Sequence, residues 1–338
     1  MRALALTCGD PGGIGPEIAI DAWLRRSREK VPPFYILADP LIIKSRSSLF
    51  GEEVACEITS PAEASECFAD SLPIVPLGNP MGDTPGQTDP ANAAGIIEAI
   101  DRAVADTASG NASGVVTLPI AKKTLHDAGF AFPGHTEYLA HLAAPLSGTS
   151  IRPVMMMAGP ELRTVPVTVH VAFADVLRIL SSDLIVETCR ITARDLEFRF
   201  GIDRPRLAVA ALNPHAGEAG SFGNEEDTII RPALERLGQE GFTVTGPLPA
   251  DTMFHPQARK QYDAAICMYH DQALIPAKAI DFARTVNVTL GLPFVRTSPD
   301  HGTAFDIAGT GRADPQSLIE ALKLAAGLAS NDNKVKPA

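Results

Sequence analysis

Three histidines carry the first chemical signal: His170 in VPVTVHVAF, His215 in ALNPHAGEAG and His270 in ICMYHDQA. Each ends or follows a short apolar run that reads as a buried strand, and in open α/β sheets ligands collect at the carboxyl ends of strands. One histidine in such a place is more often a hydrogen-bonded structural residue than a ligand. Three in the same topological position are what a Lewis-acid metal centre with an open coordination site requires. Their spacings, 45 and 55 residues, belong to separate strand–helix units and not to a zinc finger. Ligands this generic do not name the metal.

Two carboxylates stand near them. Asp271 directly follows His270, and Asp251 lies in PLPADTMF, after another expected strand. Either could orient a ligand histidine or accept a proton from a substrate hydroxyl. For Asp251 a helix-capping role weighs the same. The stretch FPGHTEYLAHLA puts His135 and Thr136 behind a Pro-Gly turn, at an expected helix N-terminus. Free backbone N–H groups and the helix dipole there favour a phosphate or carboxylate, with ordinary capping by Thr136 and Glu137 as the equal alternative. Lys278 in LIPAKAI, Asn287 in VNVTLGLPF and Arg296 in FVRTSPDHG supply an ammonium, an amide and a guanidinium. Brought to one pocket they would suit a small, doubly anionic substrate. Scattered surface charge is the competing reading, and it would win for Lys278 alone.

Two glycine-rich loops complete the set. TCGDPGGIGPEI turns a strand into a helix but has the wrong spacing for G-x-G-x-x-G, and a proline interrupts it. It reads as a place where backbone approaches a ligand closely, which glycine permits. SPDHGTAFDIAGTGRADPQSLIEAL leads a second chain of glycine and aspartate into a C-terminal helix.

The elements that must position these residues alternate in type. ALALT, FYILA, GVVTLP, VPVTVHV, RLAVAAL and AAICMYH are short apolar or β-branched runs fit for a sheet covered on both faces. Between them lie helical patterns such as AAGIIEAIDRAVAD and IIRPALERLGQEG, the second ending in glycine. The alternation predicts an α/β fold with a largely parallel sheet. No fixed-period repeat or low-complexity segment interrupts it. At 338 residues and 45% hydrophobic, the chain can build a large core and two lobes. SNDNKVKPA, after the alanine-rich SLIEALKLAAGLA, reads as a frayed polar tail.

Composition also excludes partners. A net charge of −11 argues against a nucleic-acid surface or an anionic membrane. No apolar run reaches the ~18–20 residues that span a bilayer, and the N-terminus reads as a first strand rather than a signal peptide. The five cysteines (Cys8, Cys56, Cys67, Cys189, Cys267) form no CxxC pair. They read as reduced thiols that pack as small apolar residues, which predicts a cytoplasmic protein. Cys8, beside a glycine loop, is also best read as packing.

A resemblance rests on the motifs already quoted. HGTAFDIAGTGRADP resembles the adenosine-binding loop of the isopropylmalate and isocitrate dehydrogenase superfamily, and GIGPEI resembles its N-terminal loop. GDPGGIGPE, PGHTEYLA, LNPHAGEAG, PADTMF, MYHDQ and VNVTLGLPFVRTSPDHGTA together resemble the 4-hydroxythreonine-4-phosphate dehydrogenase family of vitamin B6 synthesis, over about residues 3–328. Leu118, Ala121, Gly12 and Ala273 depart from the commonest family pattern.

The resemblance implies a two-lobed isocitrate/isopropylmalate dehydrogenase-like fold with the active site in the cleft. Lobe one would span about 1–125 plus 285–330, lobe two about 126–284, with 331–338 as tail. It makes His170, His215 and His270 ligands of one divalent cation (zinc, magnesium or cobalt), shared across a homodimer interface that also forms the active sites. His135, Thr136, Lys278, Asn287 and Arg296 would bind substrate, with Asp251, Asp271 and Lys278 as the catalytic candidates. Gly302, Thr303, Ala304, Asp306 and Gly309 would bind the cofactor. A carboxylate at Asp306 would accept a ribose hydroxyl and repel a 2′-phosphate, favouring NAD over NADP.

The implied reaction oxidises 4-(phosphooxy)-L-threonine to 2-amino-3-oxo-4-(phosphooxy)butanoate, which decarboxylates to 3-amino-2-oxopropyl phosphate on the route to pyridoxal 5′-phosphate. The competing substrates are 4-phospho-D-threonate, 4-phospho-D-erythronate and a dihydrodiol dicarboxylate. A competing class is the phosphate acyltransferases of the same fold superfamily, against which the three histidines and the HGTAFDIAG loop speak.

Overall fold

Each of the six apolar runs becomes, or overlaps, a strand. The computed structural model describes residues 2–51, 54–148 and 150–335. Two units form: Met1–Pro153 with Leu292–Ser330, and Val154–Gly291 with Asn331–Ala338. Among the described residues the first unit holds strands β1 (Leu4–Thr7), β2 (Phe34–Ala38), β3 (Cys56–Ile58), β4 (Leu72–Pro76) and β5 (Val115–Thr117). The second holds β6 (Val154–Ala158), β7 (Arg163–Pro166), β8 (Arg206–Ala210), β9 (Thr243–Leu248), β10 (Ala264–Cys267) and β11 (Val286–Leu290). The chain then returns to the first unit with β12 (Arg296–Pro299).

In the first unit the strand order is β3-β4-β2-β1-β5-β12, and each pairing is parallel. Parallel neighbours need crossover connections, supplied by helices such as Gly15–Leu24 and Ala93–Ala108. The latter buries Ile96, Ala99, Ile100, Ala103 and Val104, an apolar stripe at helical spacing. Ile100 is fully buried, so its truncation to alanine would cost about 2–5 kcal/mol. The His135–Ser147 helix also belongs here: Tyr138 donates its hydroxyl to Asp101 of the Ala93–Ala108 helix. The unit therefore runs to Pro153, past the boundary expected near residue 125.

In the second unit the order is β11-β6-β7-β10-β8-β9. The β11-β6-β7 side is antiparallel and the β7-β10-β8-β9 side parallel. The core contains Met157, Leu162, Ala208, Ala265 and Cys267. β7 stops at Pro166, earlier than the run VPVTVHV suggested; beyond it Val167 N donates to Cys267 O, and both the N–H and the hydroxyl of Thr168 donate to Met268 O.

The C-terminal helix continues to Val335. Asn331 Nδ2 donates to Arg199 O at 2.9 Å and Asp332 lies 3.6 Å from Arg199, so the expected tail begins as ordered helix. Positions 336–338 of that tail lie outside the described residues. Among the described residues no helix is long and apolar enough to cross a membrane. Cys8, Cys189 and Cys267 are buried, whereas Cys56 on the edge strand β3 is exposed. Burial pushes the Cys8 thiol up to about 12, which suits a packing role.

Candidate active site

Strands β7, β10 and β8 are parallel neighbours, so their carboxyl ends lie along one edge of the second unit's sheet. His170, His270 and His215 follow those ends in that order. The His170 and His270 ring centroids are 5.6 Å apart. Two imidazoles bound tetrahedrally to one ion would stand about 5 Å apart, so this pair fits a shared cation. They border a cavity of about 300 Å³ lined also by Thr168, Phe173, Tyr269 and Asp271. His270 opens the His270–Ile280 helix, and its Nδ1 lies 2.7 Å from Asp271 Oδ1. That contact fixes the tautomer and presents Nε2 for a ligand. Of its two candidate roles, Asp271 has the geometry of the orienting one.

His215 follows β8 on the loop after it. Its ring rests 6.0 Å from Phe222. Among the described residues no group of three or more His, Cys, Asp or Glu side chains is placed to hold a metal ion. The three-imidazole set expected from the sequence does not close within one protomer.

The backbone that carries His215 is unusual. From His215 to Ala219 five consecutive residues take φ between 40° and 77°, a left-handed turn. Such a conformation costs about 1–2 kcal/mol for each non-glycine residue, so something must hold it. Glu226, 2% exposed, accepts the N–H groups of Leu212 at 2.9 Å and Asn213 at 2.8 Å, and Asn213 Nδ2 at 3.0 Å. Burial raises its carboxyl, but these bonds prevail and hold it below the usual glutamate value. At Gly217 a Cβ would fall 2.7 Å from Glu226 Oε2, so the turn needs glycine there. Asp251 is exposed in the short Ala250–Thr252 turn, which lies near the His215 turn.

Sequence reading missed Glu226 and also Gln272. Gln272 is buried, accepts Met268 N and donates to Ala211 O. The only available signals were an acidic pair eleven residues beyond His215 and an amide after His270-Asp271.

In the first unit, His135 opens its helix as expected, with Thr136 second. The His135 Nε2 atom is buried with no hydrogen-bond partner among the described residues. Burial, with the charges of Arg296 and Lys122, pushes His135 down to about 3. Arg296 is 3% exposed and donates Nη2 to Thr117 Oγ1 at 2.6 Å, and burial lowers its guanidinium to about 10. A neutral imidazole with an orphaned nitrogen beside two cations is a ready anion site. Lys122 was not singled out by the sequence. Lys278 and Asn287 belong to the second unit instead: Lys278 Nζ lies 5.6 Å from the Phe282 ring, and Asn287 sits on β11 opposite Met157.

The glycine loops meet within the first unit. Ile14 N donates to Thr303 O at 3.0 Å and Gly86 N to Gly12 O at 2.8 Å. A Cβ on Gly12 would fall 2.0 Å from Gln87 O, and one on Gly13 would fall 2.8 Å from Thr303 O. Ala304 at φ 46° and Gly309 at φ 80° bend the second loop, along which Gly302 and Asp306 are exposed. Asp10, fully buried between Gly12 N and Thr124 Oγ1, has its carboxyl raised chiefly by burial. Two buried atoms, Thr84 Oγ1 and His301 Nε2, have no partner among the described residues. A polar ligand lying along these loops would supply one, which fits a nicotinamide dinucleotide.

Residues 29–325 match the family model described as pyridoxal phosphate biosynthetic protein PdxA. The chain belongs to this family. It is 54% identical over 337 residues to a 4-hydroxythreonine-4-phosphate dehydrogenase of Bradyrhizobium diazoefficiens, covering 97% of each chain. A crystal structure of 4-hydroxythreonine-4-phosphate dehydrogenase from Klebsiella pneumoniae superposes with TM-score 0.85 at 36% identity, covering 97% of this chain and 100% of that one. A terephthalate 1,2-cis-dihydrodiol dehydrogenase from Burkholderia xenovorans is more distant, with TM-score 0.65 and 26% identity over 96% of this chain and 98% of that one. As a member of the PdxA family the chain is an enzyme, an oxidoreductase.

Proposed function

We propose that the protein oxidises 4-(phosphooxy)-L-threonine with NAD, to 2-amino-3-oxo-4-(phosphooxy)butanoate and on to 3-amino-2-oxopropyl phosphate, in pyridoxal 5′-phosphate synthesis in the cytoplasm. The observation that carries this reading is the His170–His270 pair, spaced for one cation beside a 300 Å³ cavity. A relative at 54% identity named for this substrate supports the choice of hydroxy acid.

His170 and His270 hold the cation, and His215 of a second copy completes the set in a homodimer. Val171, Phe173, Leu177 and Ile275 are exposed apolar residues next to the pair or on its flanking helices, and a second copy would cover them. A bound divalent ion, whether zinc, magnesium or cobalt, supplies acidification of the substrate hydroxyl and charge stabilisation during decarboxylation. His135, Thr136 and Arg296, with Lys122, receive one anionic group of the substrate. Lys278 and Asn287 bind its remainder. Asp271 orients His270, and Asp251 accepts the hydroxyl proton. Gly302, Thr303, Ala304 and Gly309 bring backbone close to the dinucleotide, and Asp306 favours NAD through the ribose hydroxyl.

Steady-state rates with NAD or NADP, measured on 4-(phosphooxy)-L-threonine, 4-phospho-D-threonate, 4-phospho-D-erythronate and a dihydrodiol dicarboxylate across a panel of divalent ions, test the proposal. The expected result is a kcat/KM at least tenfold higher for the first substrate with NAD. A preference for any of the others would replace it.

A further inference from the structure

Arg46 is 2% exposed and Glu17 is 1% exposed, and they are paired inside the first unit. Arg46 donates Nε to Asp83 at 2.8 Å, Nη2 to Pro11 O at 2.8 Å, and Nη1 to Glu17 and, at 3.4 Å, to Gly13 O. Glu17 in turn accepts the N–H groups of Gly309 and, at 3.0 Å, of Gly311. One buried triad thus holds three separate loops: the glycine loop after β1, the segment around Asp83 to Gln87, and the loop from Gly302 to Gly311. These are the loops whose backbones touch through Ile14–Thr303 and Gly12–Gly86, and along which Thr84 Oγ1 and His301 Nε2 lie orphaned.

Stability alone does not account for the triad. Desolvating buried ions costs so much that apolar replacements are often neutral or stabilising. Apolar side chains, however, could not engage the Pro11 and Gly13 carbonyls or the Gly309 and Gly311 N–H groups. The ions do something hydrophobic packing cannot: they fix where three backbones stand relative to one another.

We infer that Glu17, Arg46 and Asp83 are positioning residues of the dinucleotide pocket, setting the spacing of its three loops without touching the cofactor. The inference rests on the nicotinamide reading of those loops. Glu17→Gln keeps the side-chain shape but removes the charge and one of the two carboxylate acceptors. Arg46→Lys keeps the charge and loses the planar fork that joins Asp83, Glu17 and the Pro11 and Gly13 carbonyls at once. Asp83→Asn changes the half-buried end of the triad, where folding is least at risk.

The test combines calorimetric NAD binding to the free enzyme, KM for each substrate, and hydrogen exchange of residues 302–312. Each variant is expected to weaken NAD binding at least tenfold, raise the NAD KM in step, and leave the phosphorylated substrate's KM within about threefold. Exchange at Gly309 and Gly311 should quicken. NAD affinity within twofold of the parent in all three variants, or equal rises in both KM values, would overturn the role of the triad while leaving the cofactor reading intact. A parent enzyme that binds neither NAD nor NADP would overturn both.

Discussion

Gln272 joins Ala211 across two neighbouring strand ends: its Nε2 donates to Ala211 O at 2.7 Å while its Oε1 accepts Met268 N at 2.7 Å. Ala211 follows β8, which leads to His215, and Met268 follows β10, which leads to His270. The spacing of two histidine-bearing loops is therefore set by one buried amide. Gln272→Leu keeps similar volume but leaves a buried donor and a buried acceptor unmade, at about 1–3 kcal/mol each. The variant should unfold at lower urea, by about 2–6 kcal/mol in total. An unchanged unfolding midpoint would show the amide to be dispensable.

Glu226 holds the left-handed turn that carries His215. Glu226→Gln offers one acceptor oxygen where two now serve three donors, so the turn should loosen and metal affinity fall about 10–100-fold, as when a ligand's supporting shell is lost. His215→Ala should abolish metal loading and turnover yet leave the circular dichroism spectrum unchanged. Metal stoichiometry by mass spectrometry, with and without chelator, separates the two variants; full loading of His215→Ala would remove this histidine from the site.

His135 gives a pH dependence with a definite sign. Its native value of about 3 lies below the usual 6.5, so between those values the unfolded chain binds a proton that the native chain does not. Stability from this group is complete above 6.5 and is lost as pH falls toward 3, at no more than about 1.4 kcal/mol per unit. His135→Gln should flatten the unfolding free energy between pH 6.5 and 4. A variant profile parallel to the parent's would refute the assignment.

Phe173 is 71% exposed, and its ring stands 5.3 Å from that of Tyr269, next to His270. If a second copy covers this face, Phe173→Asp should convert dimers to monomers in analytical ultracentrifugation and lose bound metal in the same step. Metal loss without dissociation, or a parent that sediments as a monomer, would separate the metal site from assembly.

Much of this architecture could be read from short stretches of chain. Apolar runs marked six strands, the Pro-Gly turn marked the helix that His135 opens, and the glycine loops announced close backbone approach. Other features could not be read this way. VMMMA of β6 and VNVTL of β11 pair antiparallel although they lie far apart in the chain, so no local signal could mark their pairing. Glu225 and Glu226 look alike in NEED, yet Glu226 alone is buried under the His215 turn. Lys122 gains meaning only beside His135 and Arg296.

What the sequence determined by itself was the set of elements and the strand ends where its chemistry-bearing residues lie, because periodicity and turn preference act over a few neighbouring residues. Only the tertiary structure decided which carboxylate is buried, that the backbone at His215 turns left-handed, that the His170 and His270 rings pair, and that Arg46 and Glu17 together tie three loops. Those outcomes depend on burial and hydrogen-bond partners contributed by residues far apart in the chain, and the cost of desolvating a charge is set only once they meet.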